Sequence, residues 1–482
     1  MAVTVIDAIR AQAARRPAHP ALLLDDRRGG TRTVSYAELV ASFEAHAKRL
    51  AAEGVRAGDR CGLQARQGRG FIELALGILA ADACLAPIPD DHRGAVLNDL
   101  VRRSRLHHRV EQDDPNFRLD SYPDAGAVDG AGDRSFRALQ PAYLRFTSGT
   151  TNRRKGVLLG HAAIDARLTA ANRALEIGPQ DRVLWLLPMA HHFVVSILLY
   201  LREGASILLP ASGLARPILE LASRERATLL YASPHHYQLL AKDVSDLQLP
   251  GLRRAISTAD GLQSAVAERF ASRFGSPVAQ ALGIIEVGLP VANLEHAARK
   301  PASLGRPLPD YQVWLRGEDG RPVSGCTSAQ HTGEICIRGP GMLDAYLDPW
   351  LPAREILQPD GFRTGDQGWF DADGDLHLAG RRSNRISMAG MKFFAEEVEA
   401  VLDAHPEVRE SRVSARPHAQ LGQIPVAQFV AENAAHPASR ADLLAHCRAR
   451  LPAYKIPREF IAVDALPHTS SGKLRRSEAP LD

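Results

Sequence analysis

A chain of 482 residues exceeds what one hydrophobic core usually serves, so its length predicts more than one domain. Hydrophobic residues make up 45% and charged residues 24%, an ordinary globular balance. The net charge is +4, and the arginines are scattered without a basic block or interleaved aromatics, which gives no ground for a nucleic-acid partner.

The five cysteines are odd in number and form no Cys-x-x-Cys pair, a pattern that fits free thiols in a reducing cytosol and not a zinc site. The N-terminal MAVTVIDAIR lacks the charged and apolar regions of a secretory signal, and no apolar run is long enough to span a bilayer. A cytoplasmic protein without a transmembrane segment is expected.

In chain order, residues 35–53 read as a helix capped by Ser35, with Glu38 three residues on and Leu39, Phe43, Ala47 and Leu50 on one face. Gly54 ends it, and a strand follows at Arg60–Gln64. FIELALGILAADACLAPI reads as a buried helix running into a short strand. Residues 90–140 are rich in Asp, Arg, Gly and Pro with weak periodicity, and part of this stretch is expected to be exposed loop. A helix near 161–175, a strand at 183–188, an apolar helix at 193–202 and a strand at 206–210 continue a helix–strand alternation. This is the pattern of α/β layers with largely parallel sheets. The character changes near 380, after which AEEVEAVLDAH, ESRVSAR, IPVAQFV and ADLLAHCRARL give helix, strand, strand and helix. That tail of roughly a hundred residues is long enough for a small α+β domain of its own.

The most informative stretch is TSGTTNRRKG, Thr147 to Gly156, which follows the strand-like AYLRF. Small hydroxyl residues and glycine let the backbone approach a polyphosphate, hydroxyls and amides donate to its oxygens, and Lys155 adds a cation. By composition alone a Ser/Thr-rich surface turn is equally consistent. The P-loop of kinases and NTPases fails on spacing, because it needs Gly before the Lys and Ser or Thr after it, whereas Arg154 and Gly156 stand there.

The stretch resembles the phosphate loop of the acyl-adenylate-forming superfamily, which includes acyl- and aryl-CoA synthetases, peptide-synthetase adenylation domains and luciferases. Thr147, Ser148, Gly149, Thr150, Thr151, Lys155 and Gly156 match, while Asn152 and Arg154 replace the usual Gly and Pro. Further segments resemble family motifs in the family's order. LPMAHHF looks like the segment that walls the acyl pocket, which assigns His191, His192 and Phe193 to the substrate. The plainer readings are surface imidazoles or a metal pair, and adjacent histidines on a helix point in different directions, which counts against the metal pair. In VAQALGIIEVG, Gly283 and Glu286 match a Tyr-Gly-x-Thr-Glu motif. The resemblance gives Glu286 the role of holding Mg²⁺ against the ATP phosphates, where a lone glutamate is otherwise a structural ion-pair partner. Leu282 and Ile285 replace Tyr and Thr; Leu282 is assigned to the pocket, and Ile285 to the nucleotide side without the hydroxyl a threonine offers.

FRTGDQGWFDADGDLHLAGR is close to the family pattern throughout. By that resemblance Asp366 accepts from both ribose hydroxyls, a task suited to a carboxylate's two oxygens, and Arg381 binds ribose or phosphate and begins a hinge. The plainer reading, a β-hairpin with a tight turn at Asp371–Gly374, leaves Thr364-Gly365-Asp366 unexplained. LPHTSSGKLRR resembles the C-terminal loop that carries the adenylation lysine, here Lys473. A cation there offsets the repulsion between a carboxylate and the α-phosphate it attacks.

The resemblance implies a large N-terminal domain, 1–380, of stacked α/β subdomains plus a β-rich one, and a small mobile α+β domain, 381–482. It implies ATP and Mg²⁺ as cofactors and two half-reactions. Lys473 serves the first; rotation at Ser383 then brings the backbone near Gly390 to a tunnel for a phosphopantetheine thiol, of coenzyme A or an acyl carrier protein. The acid is read as a hydrophobic aryl or acyl acid, fatty acids included. His192 stands where the aryl-acid branch commonly has Asn, which points away from an ortho-hydroxybenzoate. Because Leu282, Ile285 and Ser383 depart from the family, a degenerate member that binds nucleotide or acyl-adenylate without turnover is the alternative.

Overall fold

The computed structural model describes residues 4–26, 29–113, 116–123, 125–126, 133–146, 155–323, 325–329, 331–357, 361–468 and 474–476. Two twisted sheets with parallel centres are stacked on one another. The first has nine strands, in the order 306–307, 288–292, 278–284, 254–257, 229–232, 182–185, 206–209, 20–25 and 31–35. The pairings from Leu22–Leu24 across to Val278–Gln280 are parallel, and the edges are antiparallel. The second has eight strands, in the order 351–352, 345–346, 156–160, 141–146, 84–88, 60–64, 108–113 and 116–121.

Strand alternation divides the interior. In Arg182–Trp185, Val183 and Trp185 enter the main core shared with Leu85, Tyr143, Phe71 and Phe193, while Leu184 faces a second core with Ile218, Tyr237 and Phe270. Leu144 and Leu158 likewise turn outward, toward Phe136 and Leu100. Strands covered on both faces read as continuous apolar runs, which is why SILLP and VLWLLP are so plain in the sequence.

The helix Tyr36–Ala52 forms as expected. Ser35 Oγ accepts from the Glu38 amide at 3.2 Å, and the Glu38 carboxylate accepts from the Ser35 amide at 2.7 Å. The apolar segment after His192 is not one regular helix: a π-helical turn, Phe193–Ile197, precedes the α-helical Leu198–Arg202.

The reading of residues 90–140 as partly exposed loop is corrected for most of the stretch. Gly94–Ser104 is a helix with Leu97, Leu100 and Val101 inward, His108–Asp113 and Asn116–Ser121 form a hairpin, and Arg134–Ala138 is a short helix. The hairpin lies at the sheet edge, so only alternate residues such as Val110 and Phe117 are buried. Its polar face carries cross-strand ion pairs, Arg109–Asp120 and Arg118–Glu111. That alternation, dense in Asp and Arg, imitates loop composition.

A third sheet of five antiparallel strands, in the order 322–323, 312–316, 333–338, 362–370 and 376–381, ends at Arg381. A 3₁₀ turn, Arg382–Asn384, leads into a fourth sheet formed by Arg385–Met388, Met391–Phe394, Val408–His418, Gly422–Ala431 and Glu459–Ala462. This sheet and the helices Ala395–Asp403 and Arg440–Arg448 have their own core of Ile386, Phe393, Val398, Leu402, Phe429 and Leu443. The architecture is thus α/β, with stacked α/β layers, a β-rich layer and a C-terminal α+β unit.

Candidate active site

In parallel α/β sheets, ligands bind beyond the carboxyl ends of the strands. Here the ends of Arg182–Trp185, Arg254–Ser257 and Val278–Ile284 carry the residues of interest. Glu286 lies in the turn between Val278–Ile284 and Gly288–Ala292. That turn is held from three sides. Arg167 donates from Nη1 to the Ile285 carbonyl at 3.0 Å, Leu343 donates its amide to the Glu286 carbonyl at 2.7 Å, and Val287 closes onto Ile284 at 2.9 Å. Gly288 has φ +111°, and a Cβ there would stand 3.0 Å from Tyr311 Oη and 3.4 Å from Arg167, so glycine is required.

The Glu286 side chain is buried and accepts from Tyr346 Oη at 3.2 Å. Burial raises its pKa; the turn's backbone, Tyr346, Arg145 and Lys155 pull it back without cancelling the rise. Lys155 Nζ stands 4.6 Å from the centre of the Tyr346 ring, so lysine, tyrosine and glutamate form one cluster at the end of the 147–154 segment. Thr147, Ser148, Gly149, Thr150 and Thr151 themselves lie outside the described residues. Leu282 and Ile285 are half-buried and pack against the main core. Gly283 is exposed where the pairing with Gly288–Ala292 shifts register, and an added Cβ would sit 3.5 Å from Thr258 Oγ1.

Asp366 and Arg381 are register partners on adjacent strands, and Arg381 Nε donates to Asp366 Oδ1 at 3.0 Å. Thr364 fixes the approach: its Oγ1 donates to the Ile335 carbonyl at 2.9 Å and accepts from the Asp366 amide at 3.0 Å. The hairpin expected around Asp371–Gly374 is present, with the Gly374 amide on the Asp371 carbonyl at 3.0 Å.

His191 and His192 end a short helix, Met189–His192, and both are half-buried. The His192 ring meets Trp185 edge-on at 6.4 Å, and Trp185 stacks on Tyr231 at 5.9 Å. Phe193 is fully buried with its ring edge-on to Phe71, so its contact with any ligand is indirect. Ser383 is exposed in the turn that joins the third and fourth sheets. Gly390, φ +81°, follows Ala389, φ +49°, in the two-residue turn between Arg385–Met388 and Met391–Phe394, the backbone of a type I′ hairpin.

Lys473 lies outside the described residues, but its flanks are placed. His468 bridges to Leu474, the Arg475 amide donates to the Pro467 carbonyl at 2.7 Å, and Arg476 is ion-paired with Glu399. Burial lowers the Arg476 pKa, but Glu399, Glu396 and Asp260 raise it further. Asp260 belongs to the loop after Arg254–Ser257, so the C-terminal segment feels a charge from the N-terminal layers.

Sequence reasoning missed that loop. Ala259 has φ +80°, a left-handed conformation that costs a non-glycine residue energy. Thr258 donates to the Ala281 carbonyl at 3.3 Å, beside Leu282. The unusual STADG composition was the available signal. Arg167 and Tyr346 were also missed, because each reaches Glu286 or its turn only through tertiary contact, and so was Arg145, which acts on Glu286 through its charge.

Comparison with known proteins agrees with this geometry. A family described as AMP-binding enzyme matches residues 9–347, and its C-terminal domain matches residues 397–473. The chain is 29% identical over 480 residues to 2-succinylbenzoate–CoA ligase of Bacillus subtilis, spanning 96% of this chain and 95% of that one. It is 33% identical over 341 residues to sulfoacetate–CoA ligase of Cupriavidus necator, spanning 70% and 66%. ATP-bound MatB from Rhodopseudomonas palustris superposes with a TM-score of 0.84 at 22% identity, over 98% of this chain and 97% of that one, a likeness of fold. The chain belongs to the AMP-binding enzyme family. It is an ATP-dependent acid–thiol ligase that works through an acyl-adenylate.

Proposed function

We propose that the acid is a hydrophobic aryl or acyl acid, activated with Mg²⁺-bound ATP and passed to the phosphopantetheine thiol of coenzyme A or an acyl carrier protein. The observation that carries this reading is the Glu286–Tyr346–Lys155 cluster, which Arg145 connects to the acyl-wall segment by donating to the His191 carbonyl while its charge is felt by Glu286. One buried carboxylate suits Mg²⁺, which keeps several waters and takes its other ligands from phosphate oxygens. Glu286 would hold the ion, which would supply positive charge against the phosphates.

The chain's own residues do the rest in this reading. Thr147 to Thr151 and Lys155 cradle the phosphates. Asp366, oriented by Thr364 and Arg381, takes the ribose hydroxyls, and the 282–285 segment with Thr258 covers the base. His191 and His192 line the acid's path. Lys473 stands between the carboxylate and the α-phosphate as pyrophosphate leaves. Residues 1–380 and 381–482 then move as two bodies about Ser383, which withdraws Lys473 and brings the Ala389–Gly390 turn to the thiol channel. A cytosolic location fits the odd number of cysteines, four of which are buried.

Pyrophosphate release across a panel of carboxylic acids tests the reading. Release with benzoates or medium-chain fatty acids supports it. No release with any acid would contradict it and leave binding without turnover as the alternative.

A further inference from the structure

Two arginines are enclosed near the Glu286 turn, and they differ in how their charge is met. Arg167 spends its donors on backbone: Nε and Nη2 on the Gly341 carbonyl and Nη1 on the Ile285 carbonyl. Its role is complete in the protein alone. Arg145 donates from Nη1 to the His191 carbonyl, while its Nε is buried without a partner. Among the described residues no carboxylate lies within ion-pair distance of Arg145. A buried charge left in this state is costly unless something pairs it.

Its position suggests what that is. Arg145 is the next-to-last residue of Pro141–Phe146, the strand that runs directly into the 147–154 segment. It holds His191, the residue before the aromatic contact of His192, and Glu286 feels its charge. Part of its surface remains accessible. With Nη1 engaged and Nε enclosed by protein, Nη2 is the donor left for a partner. A guanidinium N–H backed by a full positive charge makes a strong, charge-assisted hydrogen bond to a carboxylate oxygen. Lys155, placed against Tyr346, is the cation the reading above assigns to the phosphates. The fixed bond of Arg145 is instead to the acyl-wall segment.

We propose that Arg145 is a substrate-binding residue that receives the carboxylate of the acid before adenylation. This rests on the acid-activating reading above. It explains why a guanidinium is enclosed where a neutral residue would pack at lower cost, and it makes the enzyme select ionised acids over neutral isosteres.

The test uses the full chain with benzoate, 4-hydroxybenzoate and octanoate, each against its neutral amide. Arg145→Gln removes the charge but keeps an N–H for the His191 carbonyl; Arg145→Lys keeps the charge without the second guanidinium nitrogen. Equilibrium binding without ATP and the KM values for acid and ATP are measured, with Tm as a fold control. Wild type is expected to prefer acid over amide. Arg145→Gln should erase that preference and raise the acid Kd and KM about tenfold or more, with the ATP KM unchanged and Arg145→Lys intermediate. A rise in the ATP KM alone would assign Arg145 to a phosphate and overturn the proposal. Unchanged constants, or an equal rise in both with a lowered Tm, would reduce it to a support for His191. If wild type neither binds nor activates any of these acids while retaining ATP binding, the acid reading itself fails and takes this proposal with it.

Discussion

Arg381 Nε lies 3.0 Å from Asp366 Oδ1, and the two residues face each other as register partners on adjacent strands. The guanidinium aims the buried Asp366 carboxylate, so that in the proposed role a ribose diol would meet an oriented acceptor and not a swinging side chain.

Asp366→Ala is expected to raise the KM for ATP with little change in the KM for the acid. Loss of hydrogen bonds to a charged group costs about 1.5–3 kcal/mol, roughly tenfold or more in KM. The 2′,3′-dideoxy analogue of ATP should show a similar penalty with wild type and almost none with the variant. Equal use of both nucleotides by wild type would show that Asp366 does not read the ribose.

His192→Ala removes the ring that meets Trp185 edge-on at 6.4 Å. The order of preferred acids should change more than the ATP requirement, and salicylate should rank below benzoates hydroxylated elsewhere. Salicylate ranking first would contradict the reading of His192 in the place of Asn.

Ser383→Pro fixes φ near −65° in the exposed turn that joins two sheets. One half-reaction should fall much more than the other, because one orientation is trapped. A uniform loss would remove Ser383 as the pivot.

Asp403, at the end of helix Ala395–Asp403, is pushed up to about 7 by burial, and the charges of Glu399 and Glu410 add to the shift against hydrogen bonds from Ser411. A carboxyl with a raised folded pKa contributes fully below its unfolded value, and that contribution is lost as pH rises through the folded value. The C-terminal unit should therefore lose stability between about pH 4 and pH 7 through this group. Asp403→Asn, neutral at every pH, should raise Tm more at pH 8 than at pH 4.5. The same increment at both values would mean that Asp403 is not protonated in the fold.

The parts legible in the sequence were local. The Ser35–Glu38 capping box needs three residues of separation, and Thr364-Gly365-Asp366 with the 371–374 turn sits on one hairpin. The missed parts were contacts between distant residues. Tyr346 reaches Glu286 across 60 positions, and Arg145 reaches His191 across 46. No periodicity marks such a pair. The hairpin within 90–140 was hidden because an edge strand pair buries only alternate residues and covers the rest with ion pairs. The π-helical turn at Phe193–Ile197 was hidden because a uniformly apolar run gives the same pattern for either helix.

The two half-reactions of Lys473→Ala test the central claim most directly. The flanks of Lys473 are tied down by the His468–Leu474 bridge and the Arg476–Glu399 ion pair, so the substitution should leave the C-terminal unit folded. Acyl-AMP formation from acid and ATP should be abolished, while conversion of supplied acyl-AMP and coenzyme A to thioester should continue near the wild-type rate. Equal loss of both half-reactions, with Tm unchanged, would contradict the assignment of Lys473 to adenylation alone and the domain rotation that depends on it.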